Sequence, residues 1–190
     1  MIRAGLGRKQ RAFVRHSCCR LARALGCFNR MTVIYGTKER ILDACQRVLA
    51  GTPKFFPPNP PTNKDLRGEP DWYGFEHTAW SIGEGIRLSL KANPKLKTDE
   101  EILNMIVHVI KAVNLRRGRQ SFVMCLEFAG AAKHAADIAG FLSDHDIQGQ
   151  VVNTLLKMKA KGFTGQVAPL LGSKQAWIRN YAKTYIERYP

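Results

Sequence analysis

The chain has 190 residues, 45% hydrophobic and 24% charged, a balance that excludes wholesale disorder and suits one folded domain with an appendage. Its apolar runs stay far below the ~18–20 residues of a membrane-crossing helix, so no integral membrane segment is expected. Thirty Lys and Arg against fifteen Asp and Glu give +15, a charge that suits phosphate backbone or an acidic protein face.

That charge is uneven. Residues 1–30 hold eight basic side chains and no acidic one, whereas 31–190 hold 22 against 15. Within the first segment Val14, Cys18, Leu21, Leu25 and Phe28 recur at helical spacing. An Arg-rich, acid-free amphipathic helix has the composition of a mitochondrial transit peptide, which would place the protein in the matrix. It equally suits a functional basic arm, and a third reading starts the protein at Met31, where the composition becomes ordinary. Five cysteines without a C-x-x-C pair form neither a disulfide framework nor a standard zinc pattern. Cys45 and Cys125 read as small core residues, and a reducing compartment, the cytoplasm, is the default.

Residues 37–50 read as a helix capped by Thr37, with Ile41, Cys45, Val48 and Leu49 on its apolar face. The segment 52–71 carries Pro53, Pro57, Pro58, Pro60, Pro61 and Pro70, and reads as an extended connection. Residues 72–92 read as a helix despite Gly83 and Gly85, with aromatic residues in the core, Glu76 at the surface and no Glu76–His77 dyad. Thr98 with Glu101 has the spacing of a capping box opening a helix over 99–113, whose apolar stripe takes in Ile102, Met105, Ile106, Val109, Ile110 and Val113. His108 on that helix reads as a partly buried structural residue. No segment alternates with period two, so the expected class is all-α.

The last 75 residues repeat. Segments 119–128, 149–158 and 179–188 align at an offset of 30. Phe122, Val152 and Ala182 correspond, then Cys125, Leu155 and Tyr185, then Leu126, Leu156 and Ile186. A shorter apolar helix precedes the second and third, across the turns 143–146 and 172–175. Asp144 and Asp146 are expected to cap the helix that follows. The last unit, with Pro169, Leu170, Leu171, Ile178, Arg179 and Ala182, resembles a HEAT repeat, and the resemblance covers 95–190. It implies an α-solenoid of helix pairs that bury a continuous core by stacking. The expected organisation is a basic tail (1–30), N-terminal helices with a proline-rich loop (31–94) and repeats (95–190).

The resemblance implies a non-catalytic binding or adaptor protein. The sequence carries no phosphate-binding glycine loop, H-E-x-x-H or nucleophile elbow. No cofactor or metal is expected, and His134 and His145 near Asp137, Asp144 and Asp146 read as structural. The candidate binding residues are Arg116, Arg117, Arg119, Lys157, Lys159, Lys161, Arg179 and Lys183, which stacked helices could join into one basic stripe. A protein partner is expected first and nucleic acid second. The HEAT-like alkylpurine DNA glycosylases give an enzymatic alternative; Trp177 and Asp137 are residues of the kind it needs, but no motif assigns them a role.

Overall fold

The computed structural model describes residues 34–55 and 72–190. The basic segment 1–30 and most of the proline-rich connection lie outside the described residues. What is described is all-helical, with no strand among the described residues and no helix long and apolar enough to cross a membrane.

The first helix, α1 (Lys38–Ala50), is capped as the sequence indicates: Thr37 Oγ1 accepts from the Arg40 amide, and Ile41, Ala44, Cys45 and Val48 are buried. α2 (Gly74–Ala92) begins at Gly74 because Glu76 turns back to accept from the Tyr73 amide at 2.7 Å. At its far end Ser89 Oγ donates to the Gly85 carbonyl and accepts from the Tyr35 amide at 2.7 Å, so the start of α1 meets the end of α2. A four-residue helix, α3 (Pro94–Lys97), fills the connection, its first free amide taken by Asn93.

α4 (Glu100–Lys111) corrects the capping expectation. Asp99 is the cap, its Oδ1 accepting from the Glu101 and Ile102 amides, while Thr98 donates its hydroxyl backward to the Pro94 and Lys95 carbonyls. Glu101 is turned outward to Lys38. Ile102, Ile106, Val109 and Ile110 of the apolar stripe are buried and Met105 half-buried, but Val113 is 56% exposed, and His108 is exposed rather than partly buried because the helix turns Val107 and Val109 inward instead. A 3₁₀ stretch, Val113–Arg119, leads into α5 (Gln120–Cys125). α6 (Ala135–Ala139) lies between 3₁₀ turns and is followed by α7 (Gln148–Met158). α8 (Thr164–Val167) runs on as a 3₁₀ turn to Gly172 and is followed by α9 (Ala176–Arg188).

Four of the helices pack in succession. Gly83 lies against Ser121 and Phe122, so α2 touches α5. Thr154 Oγ1 donates to the Val123 carbonyl and Lys157 pairs with Glu127, so α5 touches α7. Gly149 lies under the Trp177 ring, so α7 touches α9. Early residues meet early residues and late meet late, so α2, α5, α7 and α9 run in the same direction. Of the aligned positions, Phe122, Val152, Ala182, Leu155 and Tyr185 are 0% exposed, whereas Ile186 is only half-buried. These residues join a hydrophobic core that extends from Tyr35 to Tyr185.

Two carboxyls tie α1, α4 and α6 together and set an acid limit. Partial desolvation opposes ionisation of Asp99, but the Ile102 amide and the Lys38 ammonium outweigh it and hold the carboxyl below its usual range. A hydrogen bond from Lys111 does the same for Asp137. Both folded pKa values lie below the unfolded ones, so this stabilisation is full above about pH 4 and is lost as pH falls through the folded values. The Tm is expected to stay flat down to about pH 4.5 and then fall. The variant Asp99→Asn/Asp137→Asn keeps a capping side chain but should show a shallower acid limb in thermal melts taken across pH.

Candidate binding surface

Most of the sequence-identified basic residues separate into two groups, one toward the starts and one toward the ends of these parallel helices. Arg116, Arg117 and Arg119 precede α5, and Arg179 lies near the start of α9. Lys157 and Lys159 lie at the end of α7. The 11 residues of α7 separate the groups by ~16 Å.

The arginine group is largely structural. Glu76, taken from the sequence as a surface residue, is 0% exposed. Its Oε1 accepts from the Arg117 amide at 3.1 Å and from Arg117 Nε at 3.3 Å, while Oε2 accepts from Arg117 Nη2 at 3.3 Å. Arg116 Nε stands 3.9 Å from Glu76 and 3.5 Å from Asp146. The guanidinium of Arg117 lies 5.0 Å from the Trp72 ring centre and that of Arg116 5.5 Å from Tyr73. Gly118 has no room for a side chain, since a Cβ there would stand 2.9 Å from Ala79 Cβ and 3.0 Å from the Glu76 carbonyl. Close approach of the loop to α2 therefore requires glycine at this position.

Arg119, a candidate ligand-binding residue by sequence, is 1% exposed. Its Nη2 donates to Asp144 Oδ2 at 2.7 Å and its other nitrogens to the Arg116 and Ile110 carbonyls. Here the sequence expectation for Asp144 and Asp146 is also corrected. Asp144 Oδ1 accepts from the Asp146 amide, Asp146 faces Arg116, and α7 opens at Ile147 without a side-chain cap. Pairing with Arg119 and Arg116 diverts the two half-buried carboxylates from capping.

The other end differs. Lys157, Asn153, Leu156 and Lys159 from α7 face Tyr181, Thr184, Arg188 and Tyr189 from α9 across a cleft of about 430 Å³. Its basic side chains are exposed, although Lys157 also pairs with Glu127 Oε2 at 2.6 Å. Tyr185, fully buried on the core side of α9, donates its hydroxyl to the Ala160 carbonyl at 2.7 Å and accepts from the Phe163 amide. Thr164 donates its hydroxyl to the Tyr189 carbonyl. Lys159 ends α7 in the left-handed region (φ 58°). Trp177 and Tyr181 continue the α9 side of the cleft toward the start of the helix, with their rings edge to face at 5.9 Å. The cleft brings together Lys157 and Lys159. Lys161 is exposed beyond the end of α7, Lys183 stands 3.8 Å from Glu187, and Arg179 donates to the Ser173 and Lys174 carbonyls.

Sequence reasoning missed Asn153, Tyr181, Thr184, Arg188 and Tyr189. A signal was present. Trp177, Tyr181, Thr184 and Arg188 fall at i, i+4, i+7 and i+11, a second stripe beside the buried Ile178, Ala182 and Tyr185.

The two cysteines among the described residues are not activated nucleophiles. Burial pushes the Cys45 thiol up to about 12, and burial likewise raises Cys125 well above its ordinary value, so neither forms thiolate near neutral pH. No group of three His, Cys, Asp or Glu side chains among the described residues could hold a metal. Asp137 is occupied by Lys111 and by His134 at 3.7 Å.

Gly149 supports the Trp177 ring. A Cβ at Gly149 would stand 1.9 Å from Trp177 Cη2. The ring is 39% exposed and can swing outward, so Gly149→Ala is expected to lower stability by only about 1 kcal/mol. It should also shift tryptophan emission to the red; an unshifted spectrum would contradict the contact. Comparison with family models, curated proteins and solved structures gives no match.

Proposed function

We propose that this is a non-catalytic HEAT-like helical-repeat protein that holds a macromolecular partner on the face presented by α7 and α9. The pairs α1–α2, α4–α5, α6–α7 and α8–α9 supply four units of an α-solenoid, extending the repeat reading back from residue 95 to the start of α1. The common direction of the second helices supports this arrangement, because stacked repeats place equivalent helices side by side.

The observation that carries the binding reading is the cleft between the late residues of α7 and α9. It joins cationic, aromatic and hydrogen-bonding side chains on rigid helices, and none of them forms a catalytic constellation. Surfaces that bind macromolecules are enriched in Tyr, Trp and Arg. A photo-crosslinking residue placed at Thr184 in the full chain tests the reading, with one at exposed Gln46 on α1 as the comparison. A single saturable adduct from position 184 and none from 46 is expected. Equal labelling from both positions, or none from 184, would overturn it.

A further inference from the structure

Building on the binding reading above, we propose that the cleft takes single-stranded nucleic acid, with bases against Trp177 and Tyr181 and phosphates at Lys157, Lys159 and Arg188. The order of these groups along α9 is the first argument. From exposed Trp177 through half-buried Tyr181 and Thr184 to exposed Arg188 the stripe passes from aromatic to cationic over ~16 Å of helix, so a strand laid along it meets stacking surfaces and then positive charge. The Trp177 ring is held for this. Its indole N–H donates to Gln175 Oε1 at 2.7 Å, its lower edge rests on Gly149, and Tyr181 braces it, while 39% of the residue stays exposed.

Lys159 is the second argument. Its φ of 58° is a helix-ending conformation that Gly or Asn adopts more readily. A lysine there costs about 1 kcal/mol, and local strain of this kind concentrates where a side chain is needed for recognition. Charge is the third. Three cations face one carboxylate, Glu127, and the C-terminal dipoles of α7 and α9 offset about one further unit, so the cleft remains positive.

The chemistry selects among polyanions. Two of the three cations are lysines, point charges that suit phosphate without a fixed angle, whereas carboxylate recognition favours paired arginine forks. The exposed Trp177 ring, with the half-buried Tyr181 ring beside it, suits nucleobases, and bases reach such rings only when unpaired, which favours a single strand over a duplex.

The test is fluorescence anisotropy of the full chain with labelled oligothymidylate and oligouridylate across a salt series. Binding is expected to weaken steeply with salt. The variant Lys159→Asn/Arg188→Gln leaves a residue suited to the left-handed turn and removes two phosphate contacts, so the slope of log K against log salt should fall by about 1.4. Trp177→Ala should weaken binding about tenfold, and Trp177→Phe should keep most affinity while losing the fluorescence quench caused by stacking. Far-UV circular dichroism checks that each variant folds. No binding at low salt, or binding unchanged in the double variant, would overturn the proposal. A Trp177 response to polyglutamate but to neither oligonucleotide would also overturn it, while leaving the binding role of the face intact. Failure of the crosslink at Thr184 is the separate result that removes that role.

Discussion

Glu76→Ala is expected to cost about 3–5 kcal/mol, the largest loss of any single side chain considered. The carboxylate is 0% exposed and receives the Tyr73 amide, the Arg117 amide and the Arg117 guanidinium. Removing it leaves two backbone donors and a largely buried cation without their acceptor, and none of them can return fully to water. For a domain of this size the Tm should fall by about 10 °C. A Glu76→Gln chain keeps the volume but places an amide N–H toward Arg117, and should lose nearly as much. The double variant Glu76→Gln/Arg117→Met removes both charges, so its loss should be smaller than the sum of the single losses. Thermal or urea unfolding of the four proteins measures this, and additive losses would contradict the clamp.

Gly83→Ala should be the second most damaging change, although it replaces glycine in the middle of a helix. Propensity alone would favour alanine by about 1 kcal/mol. Contact decides otherwise. A Cβ at Gly83 would stand 2.1 Å from Ser121 Oγ and 2.9 Å from the Phe122 ring, both on α5 and both fully buried. The helices cannot separate without losing Phe122 and Cys125 from the core, where Cys125 Sγ also donates to the Gly83 carbonyl. Overpacking of this kind costs about 1–3 kcal/mol, and the net effect is expected to be destabilising. Adding Ser121→Ala removes the nearer obstacle and should recover part of the loss. A Gly83→Ala chain as stable as the parent would show that α2 and α5 are not so close.

The buried helix faces of the C-terminal half were legible because helical periodicity survives substitution. Phe122, Val152 and Ala182 differ in size, yet their spacing to Cys125, Leu155 and Tyr185 is the same, and all six are buried. The caps were half legible. Thr37 caps α1, whereas the adjacent Thr98 and Asp99 offer two capping candidates, and only backbone geometry selects Asp99. The roles of the charges were not legible. Glu76 meets Arg117 across 41 positions and Arg119 meets Asp144 across 25, and spacing says nothing about such pairs. Their burial turns candidate ligand-binding arginines into internal supports. Lys157 and Lys159 were found because they are exposed basic residues, but the side chains opposite them on α9 were hidden beside a core stripe with the same period.

Hydrogen exchange of the full chain, alone and with saturating oligothymidylate, tests binding at this cleft most directly. Added protection is expected in 153–159 and 177–189, with none at Arg116–Arg119. Protection centred on Arg116–Arg119, or no change in either cleft segment under conditions where the oligonucleotide is bound, would contradict it.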